Sequence, residues 1–153
     1  MLNAGVSGDT TQGGLSRVDW TLTPDVDALI VALGGNDLLR GIDPSVSRAN
    51  LDGILQAAAA RDLPVLLVGM SAPGNYGADY KTRFDAIFPE LAAAHGAGIH
   101  PDFLGPLTAL QDRGAALAAY MQPDGIHPNA EGVTLIVEAI GPAVLDLVSR
   151  AAE

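Results

Sequence analysis

The sequence predicts an α/β domain with a parallel sheet, and two observations lead to that prediction. Apolar runs alternate along the chain with stretches whose apolar residues recur at helical spacing. The runs are continuously apolar, which is typical of parallel strands covered on both faces. Strands are predicted at 28–33 and 64–70, with a weaker one at 97–104, and helices at 11–21, 45–61, 78–95, 106–120 and from 129 onward.

Two local features refine this order of elements. Residues 1–6 are predicted to be the end of a short strand, because the turn-forming stretch 7–10 follows at once. Pro89 is expected to kink or divide the helix over 78–95, since a proline removes a backbone hydrogen bond. No internal repeat or linker separates the elements, so residues 1–153 are expected to form one domain, long enough to bury a core.

Composition argues against several kinds of protein. Eighteen acidic and eight basic residues give a net charge of −10, which is unfavourable for binding nucleic acid. The absence of cysteine excludes disulfides and thiolate metal sites. No apolar stretch is expected to approach the length of ~20 residues that a membrane span needs. Residues 1–15 lack the basic and apolar regions of a signal peptide. With no metal-ligand spacing and no phosphate-binding loop, neither a metal nor a cofactor is expected.

Turn-forming segments follow three of the predicted strands. They are 7–10 (SGDT), 34–37 (GGND) and 71–75 (SAPGN). Open α/β sheets bind ligands beyond the carboxyl ends of their strands, so these segments are expected to meet at one rim. The stretch 124–127 (DGIH) precedes the last helix and is expected to reach the same rim.

These segments contain the groups that acyl transfer requires. Asp124 can hold the ring of His127 in the orientation of a general base, and Gly125 permits the tight turn between them. The reaction also needs preorganised donors for the developing oxyanion. The Gly8 N–H and the Asn36 side-chain amide are candidates for that role.

Each segment also has a purely structural interpretation. Residues 7–10 could be a βα turn in which Asp9 or Thr10 caps the next helix. Residues 34–37 could be a strand-to-helix loop, and 124–128 a helix entry. Their joint occurrence in this order favours the functional interpretation. His95 and His100 are given no role, since His95 lies at a predicted helix C-terminus, where a cation is favourable.

Three blocks of sequence resemble the SGNH (GDSL-type) hydrolases. They are NAGVSGDTT at 3–11, LGGNDLLRG at 33–41 and DGIHPN at 124–129. Within that superfamily the chain is most similar to the bacterial arylesterase, acyl-CoA thioesterase and lysophospholipase branch, to which the stretches 72–77 and 83–91 are also similar. The resemblance extends over nearly the whole chain.

The resemblance implies a three-layer α/β/α sandwich with a flavodoxin-like, mostly parallel sheet. It implies hydrolysis of short carboxylic esters or thioesters through an acyl-enzyme, without a metal or cofactor. Gly8 and Asn36 match the oxyanion residues, and Asp124 and His127 match the acid and the base. The substrate loop 71–77, with Asn75 and Tyr76, and the stretch 103–121 are expected to shape the acyl pocket.

One block of the family pattern is absent from the sequence. It is the Gly-Asp-Ser-Leu-like turn after the first strand, which contains the nucleophilic serine. The first strand, central in the family's sheet, is therefore expected to be missing. Ser7 and Ser71 are only weak substitutes, because Ser7 matches a structural serine of the second block and Ser71 has no motif support.

Several explanations of this gap remain open. The chain can be an N-terminally incomplete or nicked hydrolase, the product of an internal start, or a fold completed by re-pairing or by a partner. A strand-completing fragment and a homodimer are accordingly the protein partners considered. A non-catalytic SGNH remnant and a flavodoxin-like module binding a small ligand are the alternative functions. The location is periplasmic or secreted if a signal peptide precedes the missing block, and otherwise cytoplasmic.

Overall fold

The computed structural model describes residues 1–110 and 113–152. In that part of the chain, three strands form one parallel sheet in the order β1-β2-β3. They are β1 (Leu29–Val31), β2 (Val65–Val68) and β3 (Gly98–His100). The register pairs Ile30 with Leu66 and Leu67 with Ile99. The sheet is therefore short, with β2 at its centre.

Helices follow each strand, as the alternating pattern predicts. They are α1 (Thr11–Thr21), α2 (Gly35–Leu39), α3 (Pro44–Ala59), α4 (Ala78–Asp85), α5 (Ile87–His95), α6 (Gly105–Thr108), α7 (Arg113–Tyr120) and α8 (Ala130–Ala151), with a 3₁₀ turn at Gly74–Tyr76. The predicted helix over 106–120 corresponds to α6 and α7, and its residues 111–112 lie outside the described part.

The sheet lies between two helical layers. Val65 and Leu67 of β2 pack into a core with side chains of α1, α3, α4 and α5. Leu66 and Val68 face the other way and pack with Leu147 of α8. Because successive side chains of a strand point to opposite faces, four apolar residues in a row require a cover on both sides. The α/β sandwich expected from the sequence is confirmed.

Polar side chains fix the starts of the three longest helices. Thr10, Asp43 and Asn129 cap α1, α3 and α8 by accepting hydrogen bonds from the first-turn N–H groups of Gly13, Ser45 and Gly132. Of the two caps considered for α1, Thr10 is therefore the one used, and Asp9 is free for another contact. Each such cap contributes about 1 kcal/mol to stability.

The structure corrects two local expectations. Residues 1–6 form no strand, because none of the strands in the described part of the chain pairs with them. The predicted helix over 78–95 is divided at Ala86, ahead of Pro89 rather than at it. Pro89 then lies in the first turn of α5, where its missing N–H leaves no hydrogen bond unmade.

The C-terminal helix is the element of the described residues that matches a membrane span in length and hydropathy. At 22 residues and a mean hydropathy of 1.7, α8 is long and apolar enough to cross a membrane by length and composition alone. Only 17% of its apolar window is buried inside the protein. Val133, Val137, Leu145 and Val148 are among its exposed side chains. Much of this apolar helix therefore has no partner within the described residues.

A buried carboxylate connects the elements around the first two turns. Asp37, in α2, has no exposed surface and accepts hydrogen bonds from the Thr11 N–H at 2.9 Å and from the Ser47 hydroxyl at 2.9 Å. The Thr11 hydroxyl also donates to Asp37, and itself accepts from the amide of Asn50 at 3.0 Å. One side chain thus joins the start of α1 to α2 and α3.

Replacing Asp37 by alanine should destabilise the fold strongly. The substitution leaves the buried Thr11 N–H and the Ser47 hydroxyl without acceptors, and each unsatisfied group costs about 1–3 kcal/mol. We expect D37A to lower the free energy of unfolding by about 2–4 kcal/mol in a urea titration. D146A, on the exposed surface of α8, is the matched control and should change it by less than about 0.5 kcal/mol. Equal effects of the two substitutions would contradict the structural role of Asp37.

Candidate active site

The structure brings together the two predicted oxyanion segments. The Asn36 side-chain amide donates to the Asp9 carbonyl at 2.9 Å, and the Arg40 guanidinium donates to the Gly8 carbonyl at 2.9 Å. With the Asp37–Thr11 bond, three contacts join the turn before α1 to α2. Gly8 and Asn36, 28 positions apart in the chain, are therefore neighbours at one rim.

The backbone at this rim depends on two glycines. Gly8 has a φ of +74° and is exposed, and its N–H makes no hydrogen bond within the described residues. Gly34 has a φ of +124°, and a Cβ there would lie 3.3 Å from the Phe88 ring. Residues with a Cβ rarely adopt this region of φ. The two turns thus present backbone N–H groups that no Cβ obstructs.

An ion pair anchors the turn at Gly8 to α1. Arg17 donates through Nε to the Asp9 carboxylate at 2.9 Å and through Nη1 to the Ala4 carbonyl at 2.6 Å. Both charged side chains are less than one-fifth exposed, so solvent screens this pair less than a surface pair. The conformation of residues 4–9 is therefore held by the helix that follows them.

Asp124 and His127 form the predicted acid–histidine pair. Asp124 Oδ2 lies 2.8 Å from His127 Nδ1. Asp124 Oδ1 accepts from the backbone N–H groups of Ile126 at 2.9 Å and His127 at 3.0 Å. Gly125, with a φ of +66°, closes the turn. The imidazole is oriented by the carboxylate, and its Nε2 makes no hydrogen bond within the described residues.

The acid–histidine turn is attached to the start of α8. The Gln122 N–H donates to the His127 carbonyl at 2.7 Å, and Met121 and Pro128 form an antiparallel bridge. Asn129 then caps α8 and donates through its amide to the Ala119 carbonyl. The turn is thus fixed to two helices, although 68% of the His127 side chain is exposed.

Hydrogen bonds hold the pKa of Asp124 at about 2. The His127 side chain is the main cause, followed by the two backbone N–H groups that donate to the carboxylate. Donors of this kind favour the charged form. Asp124 is therefore ionised at neutral pH.

The two candidate serines do not contact this pair. Ser71 donates its hydroxyl to Asp102 at 2.9 Å, across the loop after β2. Ser7 is exposed in the turn before Gly8. Within the described part of the chain, neither hydroxyl is hydrogen-bonded to His127.

The predicted substrate loop packs against the segment that follows Asn36. Tyr76 is 42% exposed, and its ring lies against Gly41, where an added Cβ would come within 3.1 Å. Its centroid is 5.0 Å from that of Tyr80, which continues through Phe84 to the buried Phe88. Asn75 is exposed beside it. The loop therefore adjoins the Asn36 segment, with Tyr76 supported by a row of aromatic rings.

Sequence reasoning missed residues that position the site rather than contact substrate. Asp37, Arg40 and Arg17 make the contacts that hold Gly8 and Asn36 together. The sequence signal for Asp37 is its position directly after Asn36 and before two leucines. The pairing of Arg40 and Arg17 with backbone carbonyls has no sequence signature. In the described residues, no group of three potential metal ligands is arranged to hold a metal ion.

The chain is similar in sequence to known proteins over most of its length. Residues 1–135 match the GDSL-like Lipase/Acylhydrolase family. Esterase TesA of Pseudomonas aeruginosa is 36% identical over 148 residues, covering 96% of this chain and 70% of that protein. Thioesterase 1/protease 1/lysophospholipase L1 of Escherichia coli K12 is 35% identical, covering 98% and 69% respectively.

A solved structure gives the same result. The chain is similar to AlinE4, an SGNH-hydrolase family esterase, with a TM-score of 0.72 and 45% identity over 95% of this chain and 75% of that one. The protein belongs to the GDSL-like lipase/acylhydrolase family of ester hydrolases. The resemblance inferred from its three sequence blocks is thereby confirmed.

The Asp124 carboxyl should titrate near pH 2. Its pKa is lowered by folding, so the interaction with His127 stabilises the fold above about pH 4 and is lost as the pH falls through about 2. A carboxyl ¹³C NMR titration checks the value. The H127A substitution removes the main cause of the lowered pKa, so the pKa of Asp124 should rise toward about 4. An unchanged midpoint in H127A would contradict the assignment.

The two paired histidines should show opposite neutral tautomers. His127 faces its carboxylate through Nδ1, whereas His95 faces Asp52 through Nε2 at 2.6 Å. Because a neutral ring donates its N–H to the carboxylate, we expect a proton on Nδ1 of His127 and on Nε2 of His95. Long-range ¹H–¹⁵N NMR distinguishes the two forms. D124N should disturb the tautomer of His127 alone. A proton on Nε2 of neutral His127 would contradict this prediction, because that nitrogen could then not accept another proton.

Proposed function

We propose that this site hydrolyses short-chain carboxylic esters or thioesters through an acyl-enzyme, with Asp124 and His127 as acid and base. The 2.8 Å contact between Asp124 and His127 Nδ1 is the main support, because it leaves Nε2 as the proton acceptor. Gly8 and Asn36 would bind the oxyanion, and Asn75 and Tyr76 would contact the substrate. The names of the relatives, which include esterase and thioesterase, agree with both substrate classes.

The reaction follows from these roles. A serine Oγ attacks the carbonyl carbon while His127 Nε2 takes the hydroxyl proton, and the carbonyl electron pair moves onto oxygen beside Gly8 and Asn36. Collapse of this intermediate breaks the bond to the alcohol or thiol, which receives the proton from His127. Water then repeats the sequence and releases the acid. Asp124 stabilises the imidazolium in both halves.

The nucleophile of this proposal lies outside residues 1–153. Ser71 is engaged with Asp102, and Ser7 makes no hydrogen bond to His127. The chain also spans only 70% of esterase TesA, so that relative has further length which this chain does not match. We accordingly treat residues 1–153 as one incomplete hydrolase domain whose serine comes from another segment.

A fluorophosphonate probe tests this division of roles. We expect no adduct on the 15.6 kDa chain by intact mass spectrometry. A fusion that places a strand and a Gly-Asp-Ser-Leu turn ahead of Met1 should be labelled and should hydrolyse p-nitrophenyl acetate. N36A in the fusion should lower kcat by about 10²–10³-fold. H127A should lower it by about 10⁴-fold or more. D146A is the matched control and should leave it unchanged.

Two results would overturn the proposal in different parts. An adduct on the chain by itself would place the nucleophile at an internal serine. A folded fusion without turnover would favour the non-catalytic remnant or the small-ligand binding module. Circular dichroism of each variant separates a lost reaction from a lost fold.

A further inference from the structure

The substrate loop is fastened to α4 through the backbone of one of its residues, Ala72. The Ala72 N–H donates to Asp85 Oδ1 at 2.7 Å, and the Ala72 carbonyl accepts from Lys81 Nζ at 2.8 Å. Lys81 Nζ also donates to Asp85 Oδ2 at 2.7 Å. We call these three contacts the Ala72 clamp. One ion pair of a single helix thus satisfies both backbone groups of Ala72.

Ala72 needs partners of this kind because it is buried outside the sheet. It is 2% exposed and belongs to the same core as Val65 and Leu67 of β2. β2 itself ends at Val68. Within the described residues, Ala72 makes no hydrogen bond to another backbone group. Buried backbone groups without partners are costly, so the clamp takes the place of a strand neighbour.

The chemistry of the pair suits this task. Lys81 and Asp85 are four residues apart on α4, which places both side chains on one face of the helix. An ammonium has three donors and can serve a carbonyl and a carboxylate together. Hydrogen bonds to charged groups are stronger than those between neutral groups. Lys81 is the only lysine in the sequence, so no other lysine can replace it.

The same helix holds the other wall of the candidate site. The Tyr80 hydroxyl donates to the Ile42 carbonyl at 2.9 Å, and Arg83 donates to Asp43 at 2.7 Å. Ile42 and Asp43 belong to the segment that follows Asn36. α4 therefore fixes the substrate loop and that segment relative to each other.

We propose that Lys81 and Asp85 are positioning residues that order the substrate loop before an acyl chain binds. A loop that is already ordered costs no further ordering on binding. Within the described residues, neither side chain hydrogen-bonds to Gly8, Asn36 or His127. Loss of the clamp should therefore weaken substrate binding and leave the chemical steps intact. The part played by the loop in substrate binding rests on the proposed function, whereas the clamp does not.

A single cysteine at position 81 tests the clamp, because the chain has no other cysteine. Lys81 is 43% exposed, so K81C can be alkylated in the folded chain. Reaction with 2-bromoethylamine restores an ammonium at the position of Nζ, and 1-iodopropane places a methyl group there. By NMR, we expect the Ala72 N–H to exchange with solvent about tenfold faster in the propyl form than in the aminoethyl form. The aminoethyl form should match the unmodified chain.

A matched control separates the clamp from ion pairs in general. R48M removes the exposed pair of Arg48 and Glu90, which joins α3 to α5 at 2.6 Å. It should leave the exchange of the Ala72 N–H unchanged. D85A removes the other half of the clamp and should accelerate that exchange as the propyl form does. If the propyl form does not fold by circular dichroism, D85A against the unmodified chain decides the same question.

The effect on catalysis is measured in the serine-containing fusion, built without cysteine and carrying the same two alkylated forms. With p-nitrophenyl butyrate, we expect KM to be about fivefold higher in the propyl form, since the loop must then be ordered on binding. The value of kcat should differ by less than about twofold, because the groups that act in the chemical steps are untouched.

Three results would overturn the proposal in different parts. Equal exchange of the Ala72 N–H in the two alkylated forms would overturn the clamp. A lower kcat at unchanged KM in the propyl form would assign Lys81 to the chemical steps and overturn its positioning role. A folded fusion without turnover in either form would remove the proposed function and the role of the loop in substrate binding, while the exchange difference would still support the clamp.

Discussion

The fully buried carboxylate of Asp37 is the interaction on which the rim of this protein depends. It accepts from Thr11 at the start of α1 and from Ser47 in α3, and no cationic side chain of the described residues pairs with it. A buried charge is tolerated only where hydrogen bonds replace its hydration. Here the donors come from two helices distant in sequence, so satisfying one charge fixes three elements. The position of Asn36, its immediate neighbour, follows from that requirement.

The candidate site consists of two parts that the fold supports differently. The segments of Gly8 and Asn36 are joined by the part-buried bond from Asn36 to the Asp9 carbonyl and by Arg40, beside the buried Asp37. Asp124 and His127 form a turn of four residues in which each bond is local, attached to α7 and to the start of α8. A local turn is stable without a nucleophile beside it. The geometry of the Asp124–His127 pair therefore does not depend on a serine beside it.

Sequence pattern predicted most of the fold because its signals are local. The apolar runs at 28–33 and 64–70 became β1 and β2, and Thr10, Asp43 and Asn129 begin helices as their side chains allow. The pair of Asp124 and His127 was predictable for the same reason, since three positions separate them. The contacts of Arg17, Arg40 and Asp37 join distant segments, and no local pattern encodes them. The prediction of a strand at residues 1–6 was wrong. A strand needs a hydrogen-bonded neighbour, and which segment becomes that neighbour depends on tertiary structure.

The exposed edge of β1 shows how the cover of the sheet differs from strand to strand. A parallel sheet is normally covered on both faces. β2 meets this condition with all four residues buried, whereas Ile30 of β1 is 37% exposed and α8 leaves Val148 exposed. Ile30 and Val148 line the same groove, so apolar surface that the described residues leave uncovered lies beside both the sheet and α8. The burial of each strand therefore follows from how far the helical layers extend over it.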